Sequence, residues 1–227
     1  MKPKIAILAS GSGTTAQAVI KASAQKQVNY DIALVIVSRK EAGIFKRVDE
    51  LNNEFGLGII TKLVNHETHP AAANEEVGRG LQTKAEETEI QKTLEDAGVD
   101  LISLMGYMKK IGPNLVHRFG WKEEYESPFQ AMMVNTHPGL LPDTKALFGA
   151  NIQQYVLDNH LPYGGQTLHI VGEEYDDGPV VAEHKVEVIG GDTADSLFER
   201  VQKAEKQFLP GDIEQFIIDR QKYLIGS

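Results

Sequence analysis

The sequence predicts an α/β protein: a doubly wound, mostly parallel sheet with a mixed C-terminal part. Three observations predict it. Apolar runs of strand length recur at 4–9, 32–38, 59–63, 100–105 and 132–135. Helical patterns separate the early runs, and strands apolar on both faces need helices on both faces of a sheet. Beyond residue 160 the runs give way to alternation, the mark of half-buried antiparallel strands.

Lys4 to Ala9 (KIAILA) is the first strand, and it runs into Ser10-Gly11-Ser12-Gly13. Thr14-Thr15 opens a helix that reaches about Gln27. Ile32 to Ser38 (IALVIVS) is a second buried strand, and Ile44 to Phe55 has helical spacing stopped by Gly56 and Gly58. Ile59 to Leu63 is a short third strand, expected to be central like the others, and the polar stretch Asn65 to Thr83 is a loop. Lys84 to Ala97 is a charged helix, followed by the strand Asp100 to Met105. Gly106 to Phe119 holds a turn and a short helix started near Pro113. Trp121 to Gln130 (WKEEYESPFQ) reads as an exposed insertion before the fifth strand, Met132 to Asn135. Gln166 to Gly172 and Val180 to Val188 alternate and read as antiparallel partners joined through Asp176-Asp177-Gly178-Pro179. Thr193 to Phe208 is a helix with Asp192 as its N-cap. The chain shows no repeat and reads as one domain over 1–227, in two halves that meet near residue 105.

Composition narrows the function. Asp and Glu number 32 against 23 Lys and Arg, a net charge of −9 that argues against a nucleic-acid partner. The absence of Cys excludes a disulfide scaffold, a thiol nucleophile and a thiolate metal site. No apolar stretch approaches the roughly 18 residues of a membrane span, so no membrane partner is expected. The N-terminal apolar run ends in a glycine turn rather than a cleavage site, and the expected location is cytoplasmic.

Three segments carry chemistry. Ser10 to Thr15 (SGSGTT) joins a strand to a helix, and the unpaired N–H groups of a helix start, at Gly13, Thr14 and Thr15, suit a phosphate. The spacing G-x-G-x-x-A approaches a dinucleotide fingerprint, but Ser38-Arg39-Lys40 follows the second strand where a ribose diol would need an acid. NAD is therefore disfavoured, and a plain turn is the bland alternative. Asn135-Thr136-His137-Pro138 lies at the carboxyl end of the fifth strand, where open α/β sheets bind ligands. Residues i and i+2 of a strand point the same way, so Asn135 and His137 can face one carbonyl oxygen. Glu173 to Pro179 is an acid-rich loop, ordinarily a solvated turn, which gains meaning only if Asp176 meets His137.

Together these segments resemble the phosphoribosylglycinamide formyltransferases. The likeness runs through Ser10 to Thr14 (SGSGT), Gly106-Tyr107-Met108-Lys109, Asn135 to Pro142 (NTHPGLLP), His169 to Val171 (HIV), Asp176 to Pro179 (DDGP) and Arg200 to Glu205 (RVQKAE). It implies a Rossmann-related formyltransferase fold, with the phosphate half first and the folate and catalytic half second. It implies 10-formyltetrahydrofolate as donor, the amine of glycinamide ribonucleotide as acceptor, no metal, and a monomer or homodimer. By the resemblance Asn135, His137 and Asp176 are the catalytic group, and Gly13, Thr14 and Thr15 take the phosphate. Gln202 and Glu205 hold the ribonucleotide. Lys84, Met108, Lys109, Lys110, Ile111, Asn135, His169, Val171 and Tyr175 border the folate. A carboxylate beside His137 would raise its pKa above 6.5.

The chain departs from that family's pattern in three places. Gly139 stands where Ser is usual. Asp143 to Gly149 (DTKALFG) differs from the usual basic-aromatic-Pro-Gly run beside the nucleotide. The Arg expected before the middle helix is replaced near Thr83-Lys84, so that Lys84 or Lys109 would hold the folate's glutamate tail. These departures keep other readings open: a related formyltransferase or hydrolase with another acceptor, an NADP-linked reductase using SGSGT and Arg39, or a binding module that has kept only the fold.

Overall fold

The computed structural model describes residues 2–226. Seven strands form one sheet: β1 (Lys4–Ala9), β2 (Asp31–Val37), β3 (Ile60–Leu63), β4 (Leu101–Met105), β5 (Met133–His137), β6 (Tyr163–Ile170) and β7 (Val180–Glu187). Their spatial order is β3-β2-β1-β4-β5-β6-β7. The first five run parallel, and β6 and β7 are antiparallel additions. The chain reverses direction across the sheet at β1 and β4, and a crevice opens there at the carboxyl ends of the strands.

Among the described residues six α-helices cover it: α1 (Thr14–Ala24), α2 (Ile44–Phe55), α3 (Lys84–Ala97), α4 (Pro113–Phe119), α5 (Ala150–Asp158) and α6 (Ala194–Gly226). On one face Val19 and Ile20 of α1, Ile44 and Val48 of α2 and Ile213 of α6 pack on alternate residues of β1 and β2. On the other, Ile90 and Leu94 of α3 and Leu115 of α4 pack on Ala6, Leu8, Ile102 and Leu104. Each helix start has a local cause. Gly13, at φ +75°, turns β1 into α1. Thr83 and Glu86 form a reciprocal capping box at α3.

The structure corrects several expectations. β3 is an edge strand rather than a central one, and its Ile60 is 64% exposed. α1 stops at Ala24, short of Gln27. Helix α6 continues from Ala194 to Gly226, well past Phe208, with Pro210 inside it. Its cap is Thr193, which accepts from the Ser196 N–H, while Asp192 accepts from Ile189 N–H and pairs with Arg200. The 121–130 segment is a packed flap. Trp121 N–H donates to Val171 O, and the Phe129 ring packs against Phe216 of α6, tilted at 40° with centroids 5.6 Å apart. Helix α5 was not expected from the sequence. No helix among the described residues is long and apolar enough to cross a membrane.

Candidate active site

Strand β5 delivers the central side chains, and its pleat sorts them. Asn135 and His137 face one side of the sheet, and Thr136 faces the other. Asn135 stands directly opposite His169 in the antiparallel register with β6. The Asn135 amide Nδ2 donates to His169 Nε2 at 3.0 Å, and His169 Nδ1–H donates to the Ile170 carbonyl at 2.9 Å. One amide hydrogen of Asn135 is left for a ligand.

Asp176 arrives from the loop between β6 and β7. It sits at φ +53°, a left-handed conformation that Asp tolerates better than most residues. Two residues on, Gly178 presses on the Ile170 backbone, where a Cβ would overlap the carbonyl oxygen. Asp176 thereby reaches both imidazoles: Oδ1 lies 3.3 Å from His169 Nε2, and Oδ2 lies 3.6 Å from His137 Nδ1. The Ala146 N–H donates to Oδ2 at 3.1 Å.

Burial works against the ionised carboxyl of Asp176. The neighbouring His169 and His137 rings and the Ala146 amide outweigh it and hold the carboxyl below its ordinary range. For His137 the balance falls the other way. Burial lowers its pKa below 6.5, although Asp176 and the contact with Thr144 pull it up. The expected rise is therefore corrected: the ring is only 4% exposed, and desolvation of its charged form outweighs one carboxylate. His137 Nε2 is 3.0 Å from Thr144 Oγ1.

A cleft opens beside this cluster. Leu104, Tyr107, Lys109, Lys110, Ile111 and Val171 form one part of its wall. Asn135, His169 and the loop 172–176 form the rest. His137 lies behind Asp176, outside the lining. Lys109 reaches the cleft with its charge already paired to the buried Glu86. Lys110 pairs with the exposed Glu174 at 3.2 Å and lies 5.8 Å above the Tyr175 ring. Met108 is 48% exposed outside the lining and is held by its N–H on Ser10 Oγ. Lys84 is the first residue of α3, and its N–H binds Glu75, so the structure does not bring it to the cleft. A hollow of about 350 Å³ at the amino ends of the strands, bordered by Lys2, Asp31 and Leu57, holds none of these groups.

On the other side of β5 lies the helix start. Thr14, Thr15 and Ala16 are the first residues of α1, whose N–H groups have no partner within the helix. Glu205 of α6, 6% exposed, ties this turn to the strand. Thr15 Oγ1 donates to its Oε2 and Thr136 Oγ1 to its Oε1, both at 2.7 Å. Gln202 lies one turn earlier on the same helix, half-buried. Arg47 of α2 steadies the turn by donating to Ser12 O and Gln17 Oε1. Sequence reasoning missed Thr136, Thr144 and Arg47. The partners of Thr136 and Arg47 lie 30 or more residues away, and Thr144 meets His137 only through the local turn after β5.

An open α/β sheet with a helix start of unpaired N–H groups and an amide–imidazole–carboxylate cluster, together at the strand ends, defines the ligand end of a protein of the doubly wound class. Comparison with known proteins gives the particular kind. The formyl transferase family pattern matches residues 3–213, and the chain belongs to that family. It is 31% identical over 213 residues to the trifunctional purine biosynthetic protein adenosine-3 of Bos taurus, covering 94% of this chain and 18% of that protein. It is 26% identical over 215 residues to the phosphoribosylglycinamide formyltransferase of Bacillus subtilis, covering 94% of each. The phosphoribosylglycinamide formyltransferase structure from Coxiella burnetii superposes with a TM-score of 0.77 at 28% identity, over 96% of this chain and 89% of that one.

Proposed function

We propose that the protein transfers a formyl group from 10-formyltetrahydrofolate to the amine of glycinamide ribonucleotide, a step of purine synthesis. The observation that carries this reading is the Thr15–Glu205–Thr136 bridge. It sets an anion-binding helix start one strand residue away from an amide–carboxylate cluster. A phosphorylated amine held at the first would present its nitrogen to the second.

The cleft suits a reduced folate. Leu104, Ile111 and Val171 offer apolar contact to a flat heterocycle, and Lys110 is the cleft lysine with the most exposed partner. When bound, the folate supplies an activated formyl carbon. Asn135 directs its remaining amide hydrogen at the oxygen on which charge grows, a contribution of roughly 10²–10³ in rate. Asp176, ionised beside two imidazoles, accepts the proton of the attacking amine directly or through a water. His137 stands behind Asp176, with its Nδ1 3.6 Å from Oδ2. Gly13, Thr14 and Thr15 hold the phosphate, and Gln202 and Glu205 hold the ribose. A carboxylate that already accepts two hydroxyls retains lone pairs for a third.

The test is an assay of 10-formyltetrahydrofolate loss with and without glycinamide ribonucleotide. Loss that requires the ribonucleotide supports the reading. Loss without it makes the protein a hydrolase, and protection from unfolding by NADPH but not by folate favours a reductase.

A further inference from the structure

The segment 143–149 folds over the acid–imidazole pair. Thr144 is 1% exposed and sits against His137. Ala146 N–H binds Asp176, and Lys145 pairs with the neighbouring Asp177. Gly139 makes room for the contact. A Cβ at 139 would overlap Thr144 Oγ1 and stand 2.9 Å from His137 Nε2. The glycine and the threonine therefore form one device, since a side chain at 139 excludes the hydroxyl from the ring.

A threonine hydroxyl has one proton to give. Thr144 Oγ1 gives it to Leu140 O at 2.9 Å, and so meets His137 Nε2, 3.0 Å away, as an acceptor. The Nε2 of His137 must then carry hydrogen. Its Nδ1 faces Asp176 Oδ2 at 3.6 Å, too far for a hydrogen bond and consistent with a bare nitrogen beside a carboxylate.

We propose that Thr144 is a positioning residue that fixes His137 as its Nε2–H tautomer, leaving Nδ1 beside Asp176 as a proton-accepting nitrogen of the site. A proton that reaches Asp176 can pass to Nδ1 once the two groups close from 3.6 Å to hydrogen-bond reach, and the imidazolium then donates to Asp176 on one side and to Thr144 on the other. Asp176 returns to its ionised state, and no other atom changes its bonding. The titratable groups that face His137 are Asp176 and His169. The part played in turnover rests on the formyl-transfer reading. The tautomer does not.

The experiment is nitrogen NMR of the full chain labelled at histidine, without ligands, across the imidazole titration. In the natural sequence His137 is expected as Nε2–H at high pH. Thr144→Val should shift the tautomer ratio toward Nδ1–H by roughly five- to tenfold, the equilibrium worth of one neutral hydrogen bond. It should also lower the titration midpoint, because the imidazolium loses an acceptor. Leu140 O keeps the Thr144 backbone N–H, so the variant strands no buried carbonyl. Thr144→Ser should retain the natural tautomer and midpoint, and Gly139→Ala should reproduce Thr144→Val. Where the enzyme turns over, the acid limb of kcat should move with the midpoint. An Nδ1–H tautomer in the natural sequence, or a Thr144→Val spectrum unchanged in tautomer and midpoint, overturns the proposal. An inactive enzyme with the expected spectra counts against the formyl-transfer reading alone.

Discussion

Thr136 Oγ1 donates to Glu205 Oε1 at 2.7 Å across 69 residues of sequence, joining the strand that carries Asn135 and His137 to the longest helix. Thr15 donates to the other oxygen of the same carboxylate. Substituting Glu205 with Leu would leave two hydroxyls without their acceptor, at about 1–3 kcal/mol each where they are buried. We expect Glu205→Leu to lower the melting temperature by several degrees and to raise the KM for the ribonucleotide at least tenfold. Folate affinity should stay within twofold. Thermal unfolding with separate titrations of the two ligands checks this, and equal damage to both affinities would detach Glu205 from the ribonucleotide.

Gly13 holds φ +75°, and a Cβ there would lie 2.9 Å from the Ile44 Cα and overlap the Ile44 side chain. Gly13→Val should therefore distort the first turn of α1 and weaken binding of the phosphorylated acceptor. Folate binding should change little. Isothermal titration of each ligand distinguishes this from a general loss of structure.

Much of this arrangement could be read from the chain. β1, β2 and β4 are buried on both faces, so each appears as an unbroken apolar run. β3 appeared equally central because a four-residue strand is too short to show its exposed edge. The second half of α6 was hidden by Pro210, which ordinarily ends a helix. Here the helix runs on because Phe216, Ile213 and Ile217 bury their side chains in the main core. Asn135, His137 and Asp176 were legible as a motif, yet their protonation was not. The pKa of His137 depends on burial by elements far apart in sequence.

The flap at 121–130 supplies a stability prediction. Phe216 is 1% exposed and meets Phe129 at 5.6 Å. Phe216→Ala should cost about 3–5 kcal/mol through lost burial and a residual cavity. Urea unfolding should show a lower midpoint with little change in slope.

Stability should also depend on pH through His137. Its folded pKa lies below the ordinary 6.5, so below that pH the unfolded chain binds a proton that the folded chain refuses. Stability should therefore fall as pH drops from about 7, and this contribution should level off once pH passes below the folded pKa. Asp176 adds a loss at more acid pH, as its depressed pKa is crossed. Replacing His137 with Gln should flatten the first of these slopes, as measured by urea unfolding at each pH.

The cleft lysines test the folate tail. Lys109 is paired to a buried Glu86, whereas Lys110 has only the exposed Glu174. Lys110→Ala should weaken binding of a polyglutamated folate more than of a monoglutamate, and more at low salt than at high. Equal effects on the two folates would remove Lys110 from this role.

In the proposed reaction Asp176, ionised between His137 and His169, takes the proton of the attacking amine. The most direct measurement of this step is turnover of Asp176→Asn beside the affinities of both ligands. Turnover should fall by roughly 10²-fold or more while both ligands still bind. Asn135→Ala should cost a comparable factor, and the double variant should lose less than the product, because both groups serve one transition state. Normal turnover in Asp176→Asn, or fully independent losses in the double variant, would contradict the account.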